Sequence, residues 1–197
     1  MKLKNYVLLF CLICLLTGCA PFSPKPEQEP VENKTHLTMG SSLEVKNTDN
    51  RLVLIDDNSA LAADGLYYAS WGIGNAQPYK NKDGNIVDLY DASLYLLMGE
   101  AKTNEAAKDY MNTWLEAAKT NYDILEEKEM TFQKQAYTVV AYQCRSEDNP
   151  YARGISAFAA FGNSAVCAEL TCQNDFKDDL ESILENFLNH CSYISNE

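Results

Sequence analysis

Residues 154–172 read G-I-S-A-F-A-A-F-G-N-S-A-V-C-A-E-L-T-C, two β-rich runs around a single two-residue turn. Gly162-Asn163 places glycine first, which suits the hairpin turn whose first central residue has positive φ. The runs Gly154 to Phe161 and Ser164 to Cys172 are therefore expected to pair antiparallel. Ala157, Ala159, Ala160, Ala165 and Ala168 crowd these strands, so a helix or a neighbouring sheet can approach closely. A fold built on this hairpin must be layered.

Two segments supply helices. Thr103 or Asn104 can cap the first, with Glu105 near its positive end. Ala107, Met111, Trp114 and Ala118 then recur at helical spacing, widened by Ala106, Tyr110 and Leu115. For the second, Asn174 or Asp175 is the expected cap, with Asp178 and Asp179 in the first turn. Phe176, Leu180, Ile183, Leu184, Phe187 and Leu188 make its apolar face, and His190 sits in its last turn, where a cation complements the dipole. Other segments alternate or are β-rich: Leu66 to Ile73, Asp91 to Met98, Tyr122 to Met130 and Ala136 to Cys144. Asn81-Lys82-Asp83-Gly84-Asn85 is a turn signal. Leu43 to Lys46 and Arg51 to Ile55 are expected to add a further hairpin. The fold class is α+β, an antiparallel sheet layered with helices in one domain.

The chain begins M-K-L-K-N-Y-V-L-L-F-C-L-I-C-L-L-T-G-C. Lys2 and Lys4 precede an apolar run, Tyr6 to Leu16, that is shorter than the ~20 residues a stable span needs. Leu16-Thr17-Gly18-Cys19 resembles the lipobox of bacterial lipoproteins. That resemblance implies lipid on the Cys19 sulfur and cleavage before it, hence a signal peptide over residues 1–18. Residues 19–36 then form a tether: Pro21, Pro24, Pro26 and Pro30 block helix and sheet, and an extended form would reach ~50 Å at ~3.1 Å per residue. The folded domain is expected over 37–197, on the extracytoplasmic face of the cell membrane and held there by lipid. The 197 residues carry 16 bases and 28 acids, a formal charge of −12. Loss of Lys2 and Lys4 leaves 14 bases against the same 28 acids, or −14. Such a body repels nucleic acid, which is not an expected partner.

From Thr103 onward the order is helix, two strands, a hairpin and a terminal helix. With A-Y-T-V-V-A-Y-Q-C, A-V-C-A-E-L-T-C and D-D-L-E-S-I-L-E-N-F-L in their places, it resembles the PsbP-like fold. The resemblance covers Thr103 to Tyr193 and is one of pattern and order. The fold is shared by a photosystem extrinsic subunit, a Ran-binding import factor and many bacterial lipoproteins of unknown role. It implies a binding or assembly role and names no ligand; fold alone does not fix function.

Four cysteines remain in the mature chain: Cys144, Cys167, Cys172 and Cys191. An even number in an exported domain permits disulfides. Strands running up and down would bring Cys144 toward Cys172 and Cys191 toward Cys167. Against this, Cys167 and Cys172 have opposite strand parity and face opposite sides. Four reduced, buried cysteines packing as small apolar residues are the alternative.

Chemistry is sparse. The two histidines, His36 in the tether and His190 at a helix end, leave little for a Ser-His-Asp or His-metal arrangement. No phosphate loop or dinucleotide fingerprint is present, and no cofactor is expected. Counting back from Gly84 puts Tyr79 where a calcium loop needs Asp, so no metal site is expected there. Nothing singles out a carboxylate pair, and the chain leans away from being an enzyme. The aromatic residues are the remaining lead. Tyr67, Trp71 and Ile73 share one strand face and Leu66 and Tyr68 the other, which reads as core packing or as a groove for a glycan or peptide. Tyr151 and Arg153, in the loop from Ser146, are candidates for a contact with an envelope protein. The expected role is a membrane-anchored, non-enzymatic binding or assembly module. A receptor for a small envelope ligand (glycan or peptide) is the alternative, and a cell-wall hydrolase comes third.

Overall fold

Alternation and turn chemistry give the strands, and two capped helices cover them. The computed structural model describes residues 35–59, 66–145 and 149–194. Cys19, the Pro-rich stretch and Ser146 to Asp148 lie outside these. In chain order the strands are β1 His36–Met39, β2 Leu43–Lys46, β3 Val53–Asn58, β4 Leu66–Ile73, β5 Gln77–Lys80, β6 Ile86–Leu89 and β7 Ala92–Glu100. Then follow α1 Asn104–Asn121, β8 Tyr122–Phe132, β9 Gln135–Cys144, β10 Arg153–Phe161, β11 Ser164–Cys172, α2 Leu180–Leu188 and β12 Cys191–Tyr193. The main sheet has seven strands in the order β3-β4-β7-β11-β10-β9-β8. A three-stranded sheet runs β1-β2-β12, and β5-β6 is a separate hairpin. Neighbouring strands are antiparallel throughout. The expected α+β layering stands.

The hairpin of β10 and β11 turns at Gly162, φ +51°, and pairs Phe161 with Ser164 through to Arg153 with Cys172. Its small residues serve both faces. Ala165 lies under α1, whereas Ala157, Ala159 and Ala168 lie under α2 and the small sheet. The molecule is therefore three-layered: α1, the seven-stranded sheet, and a composite layer of α2 with β1, β2 and β12. The second core is the larger. Trp71 meets Phe187 edge-on at 5.1 Å, and Leu37, Met39, Leu43, Val45, Ile183 and Leu184 close around them. Each such fully buried side chain contributes roughly 1.5–3 kcal/mol of transfer free energy.

Caps set the helix ends. Thr103 Oγ1 accepts the Ala106 N–H at 3.2 Å, as expected for α1. The start of α2 differs from the expected Asn174 or Asp175. Asp179 is the cap, its carboxylate accepting Glu181 N–H at 3.2 Å and the Ser182 hydroxyl at 2.6 Å. The chain cannot wind earlier because Phe176 closes a turn on Gln173 and packs into the core, while Asp178 pairs with Arg51 at 2.7 Å. His190 lies just beyond α2, its Nδ1 2.7 Å from the Asn186 carbonyl.

Three further differences are informative. β2 does not form a hairpin with the next strand: it pairs with β1 and β12, and β3 pairs with β4. Leu43 and Val45 need the α2 core, so Asn47–Asp49 crosses the chain to the other sheet through an Asx turn. β1 takes in His36, which the sequence reading assigned to the tether. Finally, β8 and β9 join through Gln133 and Lys134, both with positive φ, +47° and +66°. This turn type normally uses Asn-Gly. Here Gln133 Nε2 donates to the Asn189 carbonyl at the end of α2 and holds the strained tip.

Candidate functional site

The face under α1 is only partly covered by it. The helix lies across β10, β11 and β8 with its margin on β7, leaving the β3 and β4 side to other groups. Residues directly opposite on neighbouring strands share a face. The registers therefore align Asp56 of β3, Ser70 of β4, Tyr95 of β7, Glu169 of β11 and Ser156 of β10 in one transverse row. Five polar residues in register cross five strands. Tyr68 stands beside the row and stacks on Tyr95, centroids 5.9 Å apart at 22°. The next row on the other side is Gly72, Ser93, Thr171 and Gly154, all small. Tyrosines fill the space these leave. The Tyr90 ring lies over Gly72, where any side chain would collide with it, and Tyr151 bonds with the Ser93 side chain and the Tyr90 main chain.

Glu169 is the chemical centre of this face. It is the one charged residue of β11 and is 8% exposed. Tyr142 donates its hydroxyl to Glu169 Oε1 at 2.5 Å, and Ser156 Oγ donates to the same oxygen at 3.4 Å. Tyr122 also bonds to the carboxyl and stacks on Tyr142, ring centroids 3.9 Å apart. Gly154 allows this: a Cβ there would strike the Tyr142 hydroxyl. Burial pushes the Glu169 carboxyl up, and the three hydroxyl donors offset that only in part. Burial likewise raises Tyr95, with Tyr68, Cys167, Asp56 and Glu169 adding negative surroundings. Asp56 at the outer end of the row is exposed. The row thus offers hydroxyls, one buried acid and one exposed carboxylate beside half-buried tyrosine rings. Such a surface can stack on and hydrogen-bond a ligand.

The residues foreseen from sequence fall differently. Tyr151 does belong to this face, but as a half-buried support, while Arg153 points to the opposite side and donates from Nη2 to the Phe176 carbonyl at 3.0 Å. They do not form one exposed contact. The four cysteines of the possible disulfides stand as thiols, the other arrangement the sequence allows. Cys144 and Cys167 pack on the α1 side, Cys172 and Cys191 on the α2 side, so each expected pair would have to cross the sheet. The parity of Cys167 and Cys172 had pointed to this. Burial raises the Cys144 thiol to about 11 and the Cys191 thiol further, which keeps both protonated. Among the described residues no three His, Cys, Asp or Glu side chains gather to hold a metal. No helix among them is long and apolar enough to cross a membrane.

Sequence reasoning missed Glu169, Asp56 and Ser156. The signal for Glu169 was present, since an acid inside A-V-C-A-E-L-T-C must be buried with partners. Its partners come from strands more than ten residues away, and only the registers bring them together.

No family model matches the chain, and no curated protein matches it. Among solved structures it is similar to cyanobacterial PsbP (CyanoP) from Synechocystis sp. PCC 6803, at 12% identity over 87% of this chain and 100% of that one, TM-score 0.48. It is also similar to a protein from Bacteroides thetaiotaomicron VPI-5482, at 9% identity over 83% of this chain and TM-score 0.40, and it spans 50% of that protein's length. The extracellular domain of PknH from Mycobacterium tuberculosis is a third, at 13% identity, 77% and 78% coverage and TM-score 0.34. These likenesses are distant, and the chemistry of the face rests on its own residues.

Proposed function

We propose that this chain is a lipid-anchored extracytoplasmic receptor that binds a small envelope ligand on its tyrosine-lined face. The observation that carries this reading is the open end of the polar row, where exposed Asp56 lies beside half-buried Tyr68 and Tyr95 on the part of the sheet face that α1 leaves uncovered. The tether fits it. β1, the first described strand, lies in the layer on the far side of the main sheet, so attachment through Cys19 leaves the tyrosine face clear. Assembly through an apolar patch is less well supported. Of the exposed large hydrophobics, Val53 and Ile55 lie on one edge strand, Leu125 on the opposite edge and Ile86 on the β5-β6 hairpin. Ile55 and Leu125 are explained by local structure, each being the extra residue where a strand bulges. A hydrolase would set a second carboxylate roughly 5–10 Å from the first. The other carboxylate of the row, Asp56, is three strand spacings from Glu169, roughly 14 Å along the sheet.

The test uses full-length protein in detergent with low-molecular-weight extracts of the bacterial envelope. A ligand should raise the unfolding temperature by about 2 °C or more, and Tyr68→Ala should abolish the rise. A rise unchanged by Tyr68→Ala would place binding elsewhere. In the same cells, Cys19→Ala should move the protein out of the membrane fraction.

A further inference from the structure

Resting on that reading, we infer that the face recognises an extended polypeptide through a cationic side chain, lysine or arginine, seated between Asp56 and Tyr68. The first argument is charge. Asp56 is exposed at the open end of the row, and its charge is felt by both Tyr68 and Tyr95. No residue of the row is Lys, Arg or His, so an anionic ligand would meet carboxyl groups and neutral hydroxyls with no cation to pair with. The second argument is the rings. A desolvated cation is attracted to the face of a tyrosine ring, and Tyr68 and Tyr95 present a stacked pair at that end. Lysine and arginine also carry an apolar stem that can lie along ring surface while the head meets a carboxylate.

The third argument is length. Glu169 and Ser156 are buried on strands that α1 covers, so the open part of the row runs from Asp56 to Tyr95, two strand spacings or roughly 10 Å, which matches about three residues of extended chain. A small free amine would use only the Asp56 end. A peptide would also meet the half-buried Tyr68 and Tyr95 rings, and single exposed charge contacts are too weak to hold a ligand alone.

Calorimetric titration of the full-length protein in detergent decides this. The probes are an oligolysine peptide, an oligoglutamate of equal length, spermidine and a neutral chitin oligosaccharide. Oligolysine should bind, and Asp56→Asn and Tyr68→Leu should each weaken it about 3- to 5-fold. Glu185→Gln removes the same charge from an exposed position on α2, in the opposite layer, and should change nothing. Oligoglutamate should not bind, and spermidine should bind more weakly than the peptide. Equal weakening by Glu185→Gln would reduce the effect to net charge and overturn the inference. Spermidine binding as tightly as the peptide would overturn the peptide as occupant. Oligosaccharide binding that Tyr68→Leu abolishes and Asp56→Asn leaves intact would overturn the cation while keeping the face as a receptor site. Binding of none of the four probes also overturns the inference, and the envelope-extract test then decides the receptor reading separately.

Discussion

Glu169 and Glu100 are both acids held by hydroxyls, yet they respond to pH in opposite senses. Burial dominates at Glu169 and raises its carboxyl above the ordinary range despite Tyr142, Tyr122 and Ser156. The folded state therefore keeps a proton that the unfolded chain has lost, so stability falls as pH rises from about 4.3 toward the folded value. At Glu100 burial also raises the carboxyl, but the Ser41 N–H and the hydroxyls of Ser41, Tyr67 and Ser42 outweigh it and the net shift is downward. Glu100 stabilises above the unfolded carboxyl pKa and loses that contribution as pH falls. Urea melts at pH 4, 5.5 and 7 check both. Glu169→Gln should gain on the parent protein as pH rises, and Glu100→Gln should fall behind it by about 1 kcal/mol at pH 7. Parallel pH profiles for the two variants would contradict the account. Residues also differ in how far they announce themselves. Gly162 advertises its turn because only glycine adopts positive φ without strain. Gln133 and Lys134 hide theirs, because a contact with α2 holds them there and nothing local requires it.

At the scale of elements, the long strands and α1 were legible because each owes its shape to its own periodicity and cap, whereas β1, β5, β6 and β12, of three or four residues each, are too short to show a period. Leu66–Ile73 and Ser164–Cys172 match their sequence-derived bounds, and their inward faces follow from period two. The start of α2 was not legible, because Asn174, Asp175, Asp178 and Asp179 are all acceptable caps. Tertiary packing of Phe176 chooses among them. This choice is testable by chemical denaturation: Asp179→Ala should cost about 1 kcal/mol and Asp175→Ala close to nothing. The reverse order would return the cap to the earlier position. Strand pairing was likewise hidden where it depends on a crossover. β2 and β3 read as a hairpin because both are short and β-prone, but they bury their side chains from different sheets.

For the whole molecule, the seven-stranded sheet separates two cores, and this separation decides both the cysteine chemistry and the site. The thiols lie two to a side, so the chain needs no bridge to hold its layers. Four thiols should titrate in the denatured mature domain without reductant, and in the native state half-buried Cys144 should react well before Cys167, Cys172 and Cys191. Recovery of a disulfide-linked peptide on non-reducing mapping would contradict this. The site itself was out of reach of the sequence because its row draws one residue from each of five strands, 113 residues apart at the extremes, Asp56 and Glu169. The central claim, that this face is the one that binds, is tested most directly by nitration of tyrosine with tetranitromethane, read by mass spectrometry. Full-length protein in its own envelope should be compared with the same protein extracted and stripped of ligand. The account predicts that Tyr68 and Tyr95 become more reactive on extraction, while Tyr110 and Tyr193 do not change. Equal reactivity of Tyr68 and Tyr95 in both states, with protection appearing on the α2 side, would contradict it.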